Sequence, residues 1–150
     1  MSEQVNVPES CIELVKRFEG YSGKAYKCPA GVLTIGYGTT RYPDGSAVKA
    51  GDTCTKEQAA EWLAHDLAKA LVDVSMFCCR PLTENQTAAL TSFIYNVGRG
   101  AFMRSTLRKR INAGDLDDVP YQLSRWNRAG GKVLRGLILR RAAEIDLWAR

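Results

Sequence analysis

The first third of the chain changes abruptly from helical to strand periodicity, and this change constrains the fold more than any other feature. Apolar side chains recur at helical spacing, at Cys11, Leu14, Val15 and Phe18. Gly20 ends that pattern, and residues 32–37 form a β-branched and aromatic run between two glycines. The pattern predicts a helix whose last residue, Glu19, lies at the mouth of a β-hairpin.

The rest of the chain is predicted to be mainly helical. Residues 55–58 and 83–86 read Thr-Lys-Glu-Gln and Thr-Glu-Asn-Gln, the capping-box pattern that opens a helix. An apolar stripe follows each box, as expected for helices that pack on a core. Further helical segments are expected at about residues 104–113, 116–126 and 136–149.

This order of elements predicts a single α+β domain of mainly α character over residues 1–150. A small β-lobe is expected at about residues 20–54, and a larger helical lobe at about residues 1–19 and 55–150. The N-terminus, Met1-Ser2-Glu3-Gln4, is polar, which argues against a secretory signal peptide. No run of about 18 apolar residues occurs, so no membrane-spanning helix is predicted.

Positive charge is concentrated in the C-terminal third of the chain. The formal net charge is +5, and residues 99–150 carry 12 Lys and Arg against 5 Asp and Glu. Such a segment suits a polyanion, either nucleic acid, anionic lipid or bacterial cell wall, but it is equally typical of a solvated helical face. No nucleic-acid-binding motif accompanies the charge, so a nucleic-acid partner is not expected.

The cysteines are odd in number and form no metal-binding pattern. The five are Cys11, Cys28, Cys54, Cys78 and Cys79. Because no CxxC or Cys/His spacing indicates zinc, reduced thiols are expected, with one or two disulfides formed after export as the alternative. The single histidine, His65, has no motif context and is interpreted as a surface residue.

Several short blocks of sequence occur in a fixed order along most of the chain. They are Phe18-Glu19-Gly20, Ala25-Tyr26, Gly31-Val32-Leu33-Thr34-Ile35-Gly36-Tyr37-Gly38, Ser92-Phe93-Ile94-Tyr95-Asn96-Val97-Gly98, Ala101-Phe102-Met103-Arg104-Ser105-Thr106-Leu107, Gly130-Gly131-Lys132 and Arg140-Arg141-Ala142-Ala143-Glu144. With these blocks the chain resembles the phage-type lysozymes, or endolysins, of glycoside hydrolase family 24. The resemblance spans roughly residues 12–150. A single Gly-x-Gly would be weak evidence, whereas the ordered set is specific.

The resemblance implies a lysozyme-like fold and a muramidase activity. A small N-terminal β-hairpin lobe and a larger helical lobe would have the active-site cleft between them. The enzyme would hydrolyse the β-1,4 bond between N-acetylmuramic acid and N-acetylglucosamine in peptidoglycan, as a monomer and with no metal or organic cofactor. It would accumulate in the host cytoplasm and reach the cell wall through a holin pore.

The resemblance also assigns roles to three residues on or beside the predicted hairpin. Glu19 is carried over as the general acid, and Thr34 as the residue that positions the attacking water. Cys28 stands where the family usually has aspartate, nine positions after Glu19. Three interpretations of Cys28 stay open: a thiolate base or nucleophile, a thiol that helps Thr34 to position water, or a bystander in a weak enzyme.

Further residues are placed at the site by the same resemblance. The substrate-binding candidates are Tyr95, Asn96 and Ser105, and the supporting residues are Arg135, Gly36 and Tyr37. Arg135 is expected to lie behind Glu19 and to pair with it. The nearest alternative carboxylates, Asp44 and Asp52, do not occupy the family's position, so neither is expected to be catalytic.

Two rival functions follow from the same residues. A lytic transglycosylase cleaves the same bond but can work with one glutamate, so the missing aspartate at position 28 makes it a direct competitor. A wall-binding module without catalysis is the second rival. Glu19 and Thr34, both present in their motif, argue against pure binding.

Overall fold

The first helix of the computed structural model ends where the sequence predicts. The structure describes residues 6–150, so the predicted polar stretch Met1-Ser2-Glu3-Gln4 lies outside the described residues. Helix α1 spans Glu9–Glu19 and buries two apolar side chains. It stops because Gly20 adopts a φ of +68°, a conformation that side-chain-bearing residues avoid. Glu19 is therefore the last helical residue, at the entrance to the next element.

An antiparallel hairpin follows α1. Strands β1 (Ser22–Lys27) and β2 (Leu33–Gly36) pair with Tyr26 opposite Thr34, and the register is irregular nearer the start of β1. Gly36 at the end of β2 approaches the following helix so closely that a Cβ there would lie 2.9 Å from the Ala59 Cβ. A glycine at this position lets the hairpin pack directly on that helix.

The chain beyond the hairpin is mostly helical. In order, the elements are α2 (Lys56–Phe77), α3 (Glu84–Val97), α4 (Arg99–Met103), α5 (Thr106–Asn112), a 3₁₀ turn (Leu116–Asp118), α6 (Val119–Ser124), strands β3 (Arg128–Ala129) and β4 (Lys132–Val133), and α7 (Arg135–Trp148). Thr55 and Thr83 form both predicted capping boxes. The predicted α+β class of mainly α character is confirmed. Among residues 6–150, no helix combines the length and apolarity needed to cross a bilayer.

Helix α3 forms the centre of the hydrophobic core. Seven consecutive residues, 88–94, are buried, because α1, α2, α4 and α7 surround the helix. Two of the seven, Thr91 and Ser92, are polar. The Thr91 hydroxyl donates to the Thr87 carbonyl one turn earlier, whereas Ser92 bonds to side chains of α7. The hydroxyl of Ser92 thus links the core helix to α7.

Three short elements, α4, β3 and β4, were not predicted from the sequence. Helix α4 has five residues, and β3 and β4 have two each, joined by the Gly130-Gly131 turn. Neither length gives a periodic pattern of apolar residues, because such a pattern needs at least two turns of helix or four residues of strand. The 3₁₀ turn and α6 together occupy the segment expected to be one helix at about residues 116–126.

Candidate active site

Glu19 presents its carboxylate at the junction of α1, the hairpin and α3. Its side chain is 24% exposed, so the carboxylate is accessible without being fully solvated. The Oε1 atom accepts a hydrogen bond of 2.8 Å from Arg140 Nη1. Charge-assisted bonds of this kind fix both distance and direction. The second oxygen, Oε2, faces the hairpin. It lies 2.8 Å from the point that a Cβ atom would occupy if Gly38 carried a side chain.

Arg140 is itself held rigidly from behind. Its side chain is 4% exposed, and Nη2 donates to the Ser92 carbonyl at 3.2 Å. Its Nε lies 3.6 Å from Glu144 Oε2, and Glu144 is fully buried. A buried cation with several partners on two helices moves little. Arg140 therefore positions Glu19 through a contact between residues 121 positions apart in the sequence.

The prediction that Arg135 pairs with Glu19 is wrong. Arg135 is the first residue of α7 and is exposed, and no ion pair within residues 6–150 joins it to Glu19. Arg140 lies five positions further along the same helix. Five residues turn a helix by about 140° beyond one full revolution. Only one of the two arginines can therefore face α1, and packing against α3 selects Arg140.

A second buried arginine orients Asn96 beside Glu19. Arg141 Nη2 donates to Asn96 Oδ1 at 2.7 Å, and Arg141 Nε lies 2.7 Å from Glu144 Oε1. The Ser92 hydroxyl donates to Glu144 Oε2 at 2.7 Å. Because a guanidinium can only donate, the Asn96 atom it contacts is the oxygen. The amide NH₂ of Asn96 therefore remains as the donor available to a ligand.

Two adjoining cavities meet at Glu19. The one on the hairpin side has a volume of about 480 Å³ and is lined by Glu19, Gly38, Thr40, Arg41, Asp66, Tyr95 and Asn96. The one on the α7 side has a volume of about 320 Å³ and is lined by Phe18, Glu19, Asn96, Leu134, Gly136, Leu137 and Arg140. Glu19 and Asn96 belong to both. The carboxylate thus stands at the division between two parts of one cleft, where a chain could pass on both sides.

The hairpin wall of this cleft is fixed by Tyr95. Its hydroxyl donates to the Tyr37 carbonyl at 2.9 Å, which ties α3 to the segment after β2. Burial raises the pKa of Tyr95, and the nearby Glu19 adds to that rise, so the hydroxyl stays protonated and remains a donor. Gly38 lies between Tyr95 and Glu19. A Cβ atom on Gly38 would be 3.2 Å from the Tyr95 hydroxyl oxygen.

Replacing Gly38 with alanine is expected to lower activity about tenfold and to destabilise the fold by about 1–3 kcal/mol. Gly38 has a φ of +87°, which strains any L side chain, and the new methyl would displace the Glu19 carboxylate. The matched control is Gly51→Ala, where φ is +89° but the Cβ position is open. Activity measurements and thermal unfolding of both variants separate the two effects. Equal activity losses at both positions would contradict a special role for the Gly38–Glu19 approach.

Cys28 and Thr34 lie together at the turn of the hairpin. Backbone hydrogen bonds from the Val32 and Ala30 amides lower the pKa of the half-buried Cys28 thiol, and the Thr34 hydroxyl contributes to the same effect. The Thr34 hydroxyl also donates to the Val32 carbonyl at 3.0 Å. The Thr34 hydroxyl has a single proton, so it donates either to the Cys28 sulfur or to the Val32 carbonyl, and not to both at once. The described contacts of this pair are within the hairpin, and none reaches Glu19 directly.

Asp66 is a cleft carboxylate that sequence reasoning did not single out. It lies on α2 and lines the hairpin-side cavity with Glu19. Partial burial raises the pKa of Asp66, while Lys69 and His65 act in the opposite direction. The sequence signal that could have indicated Asp66 is its place in α2. It directly precedes the buried Leu67 and follows the buried Leu63 by three residues. That position is the edge of an apolar stripe.

The other predicted site residues divide into two groups. Tyr95 and Asn96 line the cleft, and Tyr37 supports Tyr95 through its carbonyl oxygen. Ser105 does not reach the cleft, because its buried hydroxyl donates to the Phe102 carbonyl and caps α5 through the Arg108 amide. The expectation that Ser105 binds substrate is therefore corrected: sequence reasoning took a helix cap for a cleft residue.

Comparison with known proteins gives consistent matches over nearly the whole chain. A family model described as Phage lysozyme matches residues 16–144. An endolysin of Acyrthosiphon pisum secondary endosymbiont phage 1 is 39% identical over 148 residues, covering 96% of this chain and 98% of that protein. A SAR-endolysin of Bacteriophage PS119 is 40% identical over 134 residues, covering 88% of this chain and 78% of that protein. The solved structure of an endolysin from Escherichia coli O157:H7 phage FAHEc1 has a TM-score of 0.88 at 36% identity, covering 99% of this chain and 96% of that one.

Proposed function

The chain belongs to the phage lysozyme family, and we propose that it is an endolysin that hydrolyses the β-1,4 bond between N-acetylmuramic acid and N-acetylglucosamine in peptidoglycan. The family membership makes it a lytic enzyme of the glycosidase type. The single observation that carries the finer proposal is the place of Glu19, between two cavities that share its carboxylate. An enzyme that cuts inside a polymer needs an acid with binding space on both sides.

Glu19 is proposed to act as the general acid through its Oε2 oxygen. The Oε1 atom is engaged by Arg140, so Oε2 is the oxygen free to carry and deliver a proton. During cleavage this proton would pass to the leaving glycosidic oxygen as the bond to the anomeric carbon breaks. The Asn96 amide NH₂ beside it is placed to donate to an N-acetyl carbonyl or a sugar hydroxyl.

Cys28 and Thr34 are proposed to handle the attacking water. The Thr34 hydroxyl would orient the water, and the Cys28 thiolate would accept its proton as the water oxygen bonds to the anomeric carbon. The lowered pKa of Cys28 supports this role because it raises the thiolate fraction at neutral pH. Inversion at the anomeric carbon, read by NMR of early products, supports a base. Retention would instead make the thiolate a nucleophile.

Substitution of Cys28 is expected to change both the rate and its pH dependence. Cys28→Ala should lose activity by about 10²-fold, and Cys28→Ser, which cannot ionise, should lose a similar amount. Cys28→Asp should retain substantial activity. The Cys28 thiolate forms only as the pH rises through the pKa of the thiol, so the wild-type rate should increase with pH across that pKa. In Cys28→Asp that rise should move down to roughly pH 4. An alanine variant with near-wild-type turnover would identify Cys28 as a bystander.

The competing activity is that of a lytic transglycosylase, favoured by the cysteine in the position of the family's aspartate. Such an enzyme would close the muramic acid onto itself and use Glu19 alone. Mass spectrometry of digested peptidoglycan separates the two outcomes. Reducing muramic acid ends support hydrolysis, whereas 1,6-anhydro ends would replace our proposal with transglycosylation. Solubilisation of purified sacculi by the wild type excludes a pure wall-binding module.

Access to the wall is the remaining part of the proposal. We propose synthesis in the host cytoplasm and action on the wall after release through a holin pore. A relative named SAR-endolysin points to a secretory route as the competing proposal. Expression of the chain in bacteria with and without a holin distinguishes the two routes. Lysis that needs the holin supports the first, and lysis without it supports secretion.

A further inference from the structure

A third cavity lies next to the cleft and has no part in the roles assigned so far. Its volume is about 530 Å³, larger than either cavity at Glu19 and within the range of ligand-binding pockets. The residues that matter for its chemistry are Tyr42, Pro43, Asp44, Asp52, Gln58 and Trp62. We call it the Tyr42–Trp62 pocket.

Helix α2 forms one continuous wall for the cleft and for this pocket. Gln58 and Trp62 line the pocket, and Asp66 lines the cleft. The three residues are spaced by four, so they follow one face of the helix. Trp62 is about 6 Å along the axis from Asp66. The pocket thus begins one helical turn beyond the part of the cleft that contains Glu19.

The opposite wall is continuous as well. Thr40 and Arg41 line the cleft, and the next two residues, Tyr42 and Pro43, line the pocket. A polymer lying across Glu19 and following these two walls would reach the Tyr42–Trp62 pocket. The cleft and the larger Tyr42–Trp62 pocket therefore follow one another along the same two walls.

The far end carries a preorganised aromatic pair. The Tyr42 and Trp62 rings are tilted by 58°, with centroids 4.8 Å apart, and both residues are only half-buried. The Tyr42 hydroxyl donates to Asp52 Oδ2 at 2.6 Å, and the Lys49 amide donates to the same oxygen at 2.9 Å. A ring held this way loses little freedom when a ligand binds.

Polar groups surround the aromatic pair. Asp44 uses Oδ1 to accept from the Ser46 amide and hydroxyl, which leaves Oδ2 as an acceptor. Thr53 and Gln58 also line the pocket. The Gln58 Oε1 atom accepts from the Thr55 amide, which leaves the Gln58 NH₂ as a donor. Aromatic faces suit the apolar face of a pyranose ring, while carboxylate, amide and hydroxyl groups suit its hydroxyl groups.

We propose that the Tyr42–Trp62 pocket is a remote saccharide subsite that holds the peptidoglycan glycan strand away from the bond being cleaved. This inference rests on the proposed function, because it takes the substrate to be that strand. The sugar ring stacks on the aromatic pair, and Asp44 and Gln58 bond to its hydroxyl groups. The enzyme consequently cleaves long strands more efficiently than short ones.

The test is a chain-length series of peptide-free glycan fragments, from the tetrasaccharide upward. For Trp62→Ala, kcat/KM on long strands is expected to fall about five- to tenfold through a higher KM, with kcat unchanged. On the shortest cleaved fragment it should equal the wild type. Trp62→Phe should recover most of the loss. Gln58→Glu keeps the side-chain oxygen that accepts from the Thr55 amide in the capping box but loses the NH₂ donor, so it should show a smaller loss of the same length dependence. The control Tyr121→Ala removes a 61% exposed ring outside all three of these cavities and should change nothing.

Failure of this inference can be told apart from failure of the proposed function. A wild type that cleaves no fragment and no sacculus overturns both. A wild type that cleaves, with Trp62→Ala and Gln58→Glu equally active at every length, overturns the subsite alone. Calorimetry in a Glu19→Gln background gives the binding readout: long peptide-free strands should bind at least fivefold more weakly to Glu19→Gln/Trp62→Ala than to Glu19→Gln. Binding only by fragments that carry stem peptide would assign the pocket to the peptide and overturn the proposal.

Discussion

Glu19→Gln is expected to lower the lytic rate roughly 10³-fold while leaving the fold intact. The glutamine keeps the shape of the side chain and can still accept from Arg140, so the buried network behind it survives. It cannot deliver a proton to the leaving oxygen. The loss should appear in kcat, with KM little changed, because substrate contacts on both sides of residue 19 remain.

A matched control is available on the same helix. Glu13 is exposed on α1 and outside the cleft, so Glu13→Gln removes the same charge and should lyse sacculi at the wild-type rate. Turbidity of purified sacculi measures both variants, and circular dichroism checks that each is folded. Lysis by Glu19→Gln within tenfold of the wild type would remove Glu19 from the role of acid.

Glu144→Ala is expected to be the most destabilising single change, by about 3–5 kcal/mol. Glu144 is fully buried, and its carboxylate lies against two buried guanidinium groups, those of Arg140 and Arg141. Its removal leaves both cations without their shared counterion and frees the Ser92 hydroxyl. Because Arg140 also positions Glu19, activity at low temperature should fall along with stability.

Thermal and urea denaturation measure this effect. For a chain of this length the expected loss corresponds to a fall in Tm of roughly 10 °C. Asp146→Ala is the control, because Asp146 is on the same helix and its pair with Arg150 is largely exposed. That variant should change stability by less than about 1 kcal/mol. A Glu144→Ala protein as stable as Asp146→Ala would show that the buried arginines find other partners.

Much of the fold could be predicted because its signals are local. The capping boxes at Thr55 and Thr83 and the stop at Gly20 each depend on residues within one turn of each other. Helix α4 and the strands β3 and β4 escaped prediction because each is too short for an apolar pattern to repeat, which takes at least two turns of helix or four residues of strand. Packing against α3 and α5, rather than intrinsic preference, stabilises so short a helix as α4.

The candidate site was predictable only in part. The ordered sequence blocks placed Glu19, Tyr95 and Asn96 in one region, and the structure brings these three together at the cleft. The same blocks misplaced Ser105, which is a helix cap. They also could not indicate Asp66, because its side chain lies in the cleft only through the direction in which α2 packs.

The sequence by itself determined the helix that ends at Glu19, the hairpin beyond it and the family to which the chain belongs. Tertiary structure alone decided which arginine holds the Glu19 carboxylate, since Arg135 and Arg140 are alike in sequence and differ in the face of α7 on which they lie. It also decided that α2 and residues 40–43 contribute to the lining of both the hairpin-side cavity and the Tyr42–Trp62 pocket. The physical reason is range: caps and periodicity act over a few residues, whereas a contact across 121 positions exists only once the helices have packed.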